Sequence, residues 1–317
     1  MKTKITALIT VFIVCLTVSL AAQDVNIEYS IDKIEQFLND DSLSIVVPRA
    51  IRFKGDKAKT AVITRPNGFF MRVKLKCAPS GGMETNNQPR YEVATYKLQK
   101  FFLDEGDYVV PPTVIRAFPT DILQKFDPKA EPTFGDMEES ICGIQYWLNS
   151  VTSDNILENK RLKVDSLYAK NFANMNILTF IIKHSDSNKG NVLISSDPQN
   201  PRLFVVDNGL AFGDTYSQRG YRWRKLHVDK VPKKSIDRLR QVTHEDLERQ
   251  LLVVTQFKIV DGTFKKVEPT EPHNRHVGVT KRDDIVQFGL TEKEIDLVYD
   301  KIQDLLWMID HDRLETF

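Results

Sequence analysis

His184, Asp186 and Asn191 stand in the segment H-S-D-S-N-K-G-N-V-L-I, and Asp207 and Gly209 follow at close range in F-V-V-D-N-G. A His-x-Asp-x-x-x-x-Asn loop followed by Asp-x-Gly supplies the few groups that phosphoryl transfer from ATP requires. One carboxylate orients the attacking hydroxyl. Oxygen ligands hold a divalent metal, Mg2+ or Mn2+, on the β- and γ-phosphates. Asp186 has the position of the first group, and Asp207 and Asn191 have the positions of the second. A structural reading competes. Asp and Asn are common turn residues because their side chains bond local backbone, and the hairpin V-L-I-S-S-D-P-Q-N-P-R-L-F-V-V needs polar punctuation whatever its function. The joint occurrence of the loop with an apolar strand ending in Asp-x-Gly favours chemistry.

These groups need elements to carry them. Ser166 to Ile182 reads as an apolar helix that delivers His184 to the loop. Upstream, S-I-V-V-P, T-A-V-I-T and G-F-F-M-R-V-K-L-K read as strands, after a short amphipathic helix from Ile27 to Leu38. Alternation between Phe70 and Lys76 puts Arg72, Lys74 and Lys76 on one face, which in most proteins is simply a solvated face. Pro89 then suits a first helical turn. The run R-Y-E-V-A-T-Y-K-L-Q-K-F-F-L places Tyr91, Ala94, Leu98 and Phe101 at helical spacing, with Glu92 near its start. A strand lysine paired with a helix glutamate is the ion pair that fixes a lysine on nucleotide phosphates. Lys74 and Lys76 face the same way, so either one fits. The basic turn R-F-K-G-D-K-A-K-T could arch over phosphates, but with a single glycine a plain hairpin turn is the better reading.

Tyr108 to Arg116 reads as a strand broken by two prolines, hence an edge strand. Asp121 to Ser140 reads as a surface loop, Ile141 to Leu148 as a buried strand, and N-S-V-T-S-D-N as a crossing between two halves. Beyond residue 150 the pattern turns helical. Thr291 opens a capping box with Glu294, and Ile295, Val298, Ile302, Leu305 and Ile309 line one helix face.

The chain has 317 residues, 41% of them hydrophobic and 27% charged, which is ordinary for a globular protein. A net charge of +1 gives no global pull toward nucleic acid or membrane. Residues 1–22 differ. Lys2 and Lys4 precede an apolar run from Ile5 to Leu20, and small residues follow at Ala21 and Ala22. That is the layout of a secretory signal peptide, and the run is short for a membrane span. An uncleaved signal anchor is the alternative. Without the leader, Cys77 and Cys142 remain. Export makes a disulfide possible, and two buried thiols fit equally well. No His/Cys cluster has zinc spacing.

One stretch is strongly basic in this balanced chain: Arg219 to Arg240, with Tyr221 and Trp223 interleaved among Arg222, Arg224 and Lys225. It reads either as a solvated loop and helix whose aromatics pack inward, or as the surface that meets an acidic acceptor.

The order of parts resembles a known group. R-Y-E-V-A-T-Y-K-L-Q-K-F-F-L, Y-V-V-P-P-T-V-I-R and F-V-V-D-N-G-L-A-F-G are similar to stretches of the atypical kinases of the secretory pathway, the Golgi casein kinase and four-jointed group. The last stretch also resembles type II phosphatidylinositol 4-kinases. The likeness implies a two-lobed α+β protein-kinase-like fold, with a β-rich N-lobe over 23–149 and an α-rich C-lobe over 150–317. It implies an exported, metal-dependent ATP phosphotransferase acting on a hydroxyl of a protein Ser/Thr, an inositol lipid or a sugar, with membrane contact only through the acceptor. Asp186 would be the catalytic aspartate, Asp207 the metal ligand, Glu92 the partner of the strand lysine, and Asn191 a ligand of phosphate or second metal. The secreted kinases usually carry a basic residue directly after the catalytic Asp, where this chain has Ser187. The H-S-D-S-N-K-G-N loop also resembles that of aminoglycoside and choline kinases, which act on small molecules. A catalytically inactive nucleotide-binding or interaction protein on the same fold is the reading from another class.

Overall fold

A computed structural model describes residues 24–50, 58–84, 87–125, 127–186, 190–213 and 223–317. The segment expected to be a signal peptide, most of the basic turn, Ser187, Tyr221 and Arg222 lie outside the described residues. Among the described residues, no helix is long and apolar enough to cross a membrane.

Helix α1 (Ile31–Leu38) begins four residues later than its apolar pattern suggests, because the Ser30 hydroxyl caps it by accepting from the Lys33 N–H. Strands β1 (Ser44–Ala50), β2 (Lys59–Thr64) and β3 (Phe70–Cys77) then form an antiparallel meander. The β2–β3 turn is Arg65-Pro66-Asn67-Gly68. Gly68 sits at φ +83°, and its N–H donates to the Arg65 carbonyl at 3.0 Å. Helix α2 (Pro89–Gln99) crosses this sheet, followed by β4 (Thr113–Pro119), α3 (Thr120–Gln124) and β5 (Glu139–Tyr146). The five strands run in the order β1-β2-β3-β5-β4.

The expected edge strand is an edge strand, but it starts after the two prolines rather than at Tyr108. Proline has no N–H for the ladder. The backbone just before is satisfied by a side chain instead: Gln99 Oε1 accepts from the N–H groups of Val109 and Val110, and its Nε2 donates to the Val110 carbonyl at 2.8 Å. The stretch expected to be surface loop from Asp121 to Ser140 contains most of α3, and β5 begins at Glu139. Helix α2 ends at Gln99, so Phe101 lies past it. The helix is buried on nearly every side rather than along one stripe, because the sheet covers one flank and C-terminal elements the other.

The second half opens with β6 (Val151–Thr152), α4 (Asn159–Val164) and α5 (Ser166–Ile181). The hairpin β7 (Val192–Ser195) and β8 (Leu203–Val205) follows, with β6 completing a three-stranded sheet. Then come β9 (Lys230–Val231), α6 (Lys233–Leu239) and α7 (His244–Leu251). Beyond the expected β7–β8 hairpin, the helical pattern read after residue 150 is interrupted by a sheet it did not foresee. Strands β10 (Thr255–Val260), β11 (Thr263–Val267), β12 (Val279–Arg282) and β13 (Ile285–Phe288) form a four-stranded sheet before α8 (Glu292–Asp310) and β14 (Glu315–Thr316). A signal was present: Asp261-Gly262, both at positive φ, is the hairpin dipeptide between β10 and β11. The α8 capping box forms as expected, and Ile295, Val298, Ile302 and Leu305 are buried.

Pairing of β3 with β5 sets Cys77 opposite Cys142, and the two form a disulfide across 65 residues of chain. Closing a loop of that length stabilises the fold by about 4 kcal/mol in the chain-entropy account. Reduction, or the Cys77→Ser, Cys142→Ser pair, is therefore expected to lower the urea midpoint markedly. Coincident unfolding curves with and without reductant would show that the cysteines are unpaired in solution.

Candidate active site

Strand β3 presents Lys74 and Lys76 on one face, opposite Gln145 and Gly143 of β5. Gln145 is braced in turn, its Nε2 donating to Thr113 Oγ1 of β4 at 3.0 Å. These side chains line a pocket closed by Glu92 from the first turn of α2. Lys74 Nζ lies 3.7 Å from Glu92 Oε1 and 3.1 Å from Asp207 Oδ1, and Lys76 Nζ lies 3.5 Å from the same Asp207 oxygen. The sequence leaves the two lysines equivalent. The structure gives Lys74 the contact with Glu92 and sets Lys76 beside it as a second cation.

Glu92 is 8% exposed, and its other oxygen accepts from the Asn208 N–H at 2.9 Å. One carboxylate thus joins β3 to the Asp-Asn-Gly segment. Asp207 itself sits at φ +59°, a left-handed conformation that Asp tolerates better than most residues. It follows β8 closely, so this turn aims the carboxylate at the lysines instead of along the strand. Lys74 is the main influence that holds the Asp207 carboxyl well below the usual carboxylate range; burial opposes this, and Lys76 reinforces Lys74.

Helix α5 delivers the loop. It ends at Ile181, and Lys183 turns the chain at φ +48°. Three backbone bonds then strap the loop to the segment around Asp207. Ser185 N–H donates to the Leu210 carbonyl at 3.0 Å, Phe212 N–H to the Ile182 carbonyl at 2.7 Å, and Val206 N–H to the Asn191 carbonyl at 2.8 Å. Asn191 Nδ2 donates to the Asp186 carbonyl at 3.3 Å, so the Asn closes the loop on which Asp186 sits half-buried. Glu92, Lys74, Lys76 and Asp207 therefore converge directly, and Asp186 and Asn191 share the adjoining loop.

His184 is fully buried, and among the described residues neither ring nitrogen has a hydrogen-bond partner. Burial pushes its pKa down to about 4, while Asp186 and Asp207 pull it up and Arg224 pushes it down. In the unfolded chain it would titrate near 6.5. The unfolded state therefore binds the extra proton between those values, so stability falls as pH drops from about 6.5 to 4, by roughly 3 kcal/mol. Below 4 this group adds no further slope. A His184→Gln variant is expected to lose this part of the acid-side decline. Identical pH profiles of the urea midpoint for variant and parent would contradict it.

The basic stretch divides. Trp223 packs inward against Phe172 and His227 and is 4% exposed. An Arg224 Nη donates to the Ser185 hydroxyl, and Lys225 is exposed. Arg224 is thus engaged with the loop that carries Asp186. Sequence reasoning missed this contact, and it missed Gln145 and the Asn208 N–H. None has a local signal, because each acts across the fold.

No protein-family model matches the chain, and no curated protein matches it. Solved structures do. The crystal structure of the Golgi casein kinase matches at TM-score 0.51 and 12% identity, over 91% of this chain and 79% of that one. The fold is kinase-like. The structure of hydra Fam20 with sugar also matches, at TM-score 0.51 and 12% identity, over 89% of this chain and 88% of that one. At such identities the likeness is one of fold: a mixed α+β chain with a curled sheet and a helical region.

Proposed function

We propose that this chain is a metal-dependent phosphotransferase that moves the γ-phosphate of ATP to a hydroxyl. The observation that carries the reading is the convergence of Lys74, Lys76 and Glu92 on Asp207. Two ammonium groups beside one ionised carboxylate, where strand β3 meets helix α2, suit a triphosphate that arrives with a divalent cation. Among the described residues no cluster of three His, Cys, Asp or Glu side chains forms a closed metal cage. That fits Mg2+ or Mn2+ in phosphotransferases, which use one or two protein oxygens and complete their shell with phosphates and water. Asp207, with Asn191, would hold the metal, whose contribution is to neutralise charge on the β- and γ-phosphates.

The chain's own groups do the rest. Lys74, held by Glu92, and Lys76 would turn from Asp207 to phosphate oxygens. Asp186 would accept a hydrogen bond from the acceptor hydroxyl and align it for attack. The nucleotide lobe would comprise 23–149 and the lobe bearing Asp186 and Asp207 would comprise 150–317. The acceptor is a protein, an inositol lipid or a sugar. The leader-like segment, together with the resemblance to secretory-pathway kinases, supports export; an intact Met1 on the mature protein would overturn that part.

Radiolabelled ATP with Mn2+ or Mg2+, offered with a panel of acidic proteins, inositol lipids and sugars, tests the reading. Label transferred to one acceptor class supports it. ATP binding without transfer to any acceptor or to water would instead make this an inactive nucleotide-binding protein.

A further inference from the structure

Helix α2 carries Glu92, so whatever fixes its first turn also fixes the contact with Lys74. Arg90 lies in that turn, two positions before Glu92, and is 4% exposed. Its guanidinium is engaged on every side. Nη1 donates to Glu294 Oε2 at 2.6 Å and to the Gly289 carbonyl at 2.9 Å. Nη2 donates to Glu294 Oε1 at 2.9 Å and to the Tyr91 hydroxyl at 3.0 Å, and Nε donates to Gln88 Oε1 at 3.0 Å. The Tyr91 hydroxyl in turn donates to Glu294 Oε1. The chain also passes close at Gly278, where an added Cβ would lie 2.3 Å from the guanidinium carbon. Any side chain there would displace the Arg.

In sequence, Glu294 is only the capping-box residue of α8. In the fold it does two jobs. Oε2 accepts from the Thr291 N–H at 2.8 Å, and both oxygens grip Arg90 in a two-pronged pair. Such a pair is geometrically specific as well as strong. Residues two apart on a helix point to different sides. Arg90 therefore faces α8 and the turn before it, while Glu92 faces Lys74 and Asn208. A helix gripped on both flanks of one turn can neither roll nor slide without breaking one grip.

We infer that Arg90 and Glu294 are positioning residues: they lock the first turn of α2 so that Glu92 stays on Lys74 and on the Asn208 N–H, and the C-terminal region thereby sets the affinity of the nucleotide site. The nucleotide half of this inference rests on the phosphotransferase reading; the locking of Glu92 does not.

The test uses the full chain and Glu294→Gln, which keeps an oxygen for the Thr291 N–H and nearly the same volume but removes the charge. Two readouts are needed: calorimetric ATP affinity with Mn2+, and hydrogen exchange at the Asn208 amide. Glu294→Gln is expected to weaken ATP about tenfold, and to add little further loss in a Glu92→Gln background, because coupled residues are not additive. Asn208 exchange should quicken by a similar factor while amides in the middle of α8 keep their protection. Additive losses, or a lower Tm with ATP affinity and Asn208 exchange unchanged, would overturn the inference and leave Glu294 a cap and packing residue. If the parent chain binds no ATP, the phosphotransferase reading fails and the exchange arm alone decides the lock. Should Glu294→Gln not fold, Arg90→Lys keeps the charge, loses the two-pronged geometry, and is read by the same measurements.

Discussion

Replacing Asp207 by Ala is expected to abolish metal-dependent ATP binding while the fold survives. Asp207 is the carboxylate on which Lys74 and Lys76 both converge, at 3.1 and 3.5 Å. Losing a residue that merely supports a metal ligand typically costs about 10–100-fold in metal affinity, and losing the carboxylate itself should cost more. The backbone that holds the loop in place does not depend on this side chain, since the Val206–Asn191 and Ser185–Leu210 bonds are made by main chain. Calorimetry with ATP and Mn2+ reads the loss, and circular dichroism checks the fold. The pH dependence follows from the same pairing. Because the Asp207 carboxyl is held well below the usual carboxylate range, chiefly by Lys74, it stays ionised as pH falls from 7 to 5, and this group imposes no loss of metal affinity there. Its contribution to folding stability is present above the unfolded carboxylate pKa and is lost as pH falls through the folded value. ATP affinity in Asp207→Ala equal to the parent's would remove Asp207 from the metal site.

Asp186→Asn separates chemistry from binding. If Asp186 orients the acceptor hydroxyl, the amide should lower turnover by about 10²–10⁴-fold, the usual worth of a positioned acid–base group, with ATP affinity little changed. The substitution is close to isosteric, and the local hydrogen bond that closes the loop uses the Asp186 backbone carbonyl, not its carboxylate. Loop geometry should therefore persist. A lost turnover then reports the missing charge. Turnover near the parent's level would make Asp186 a turn residue and return the His-x-Asp spacing to local structure.

The local placement of the candidate residues was legible in sequence because each is encoded by its neighbours. The period-two pattern of β3 puts Lys74 and Lys76 on one face. Pro89 starts α2 with Glu92 in its first turn. The apolar run of α5 ends where the loop begins, and the spacing from Asp186 through Asn191 to Asp207 spans one loop and one hairpin. Each of these is a property of a few neighbouring residues. Backbone sterics, capping and alternation act over that range and need no knowledge of the rest of the chain.

What only the tertiary structure decided are the relations between such pieces. Lys74 and Lys76 differ by one pleat repeat, about 7 Å along the strand, and which one meets Glu92 depends on where α2 comes to rest along β3. Cys77 and Cys142 pair because of the β3–β5 register, which alternation within either strand leaves open. Gln99, with no local signal of its own, bonds the backbone of Val109 and Val110 just before the two prolines. Glu294 reads as a cap, and only folding brings it to Arg90, 204 residues away in the chain. Local propensity sets which elements form, and it is blind to partners far away in sequence. Those partners are chosen by how the apolar faces of all the elements are buried at once, and that choice fixes the ångström-scale distances among Lys74, Lys76, Glu92 and Asp207.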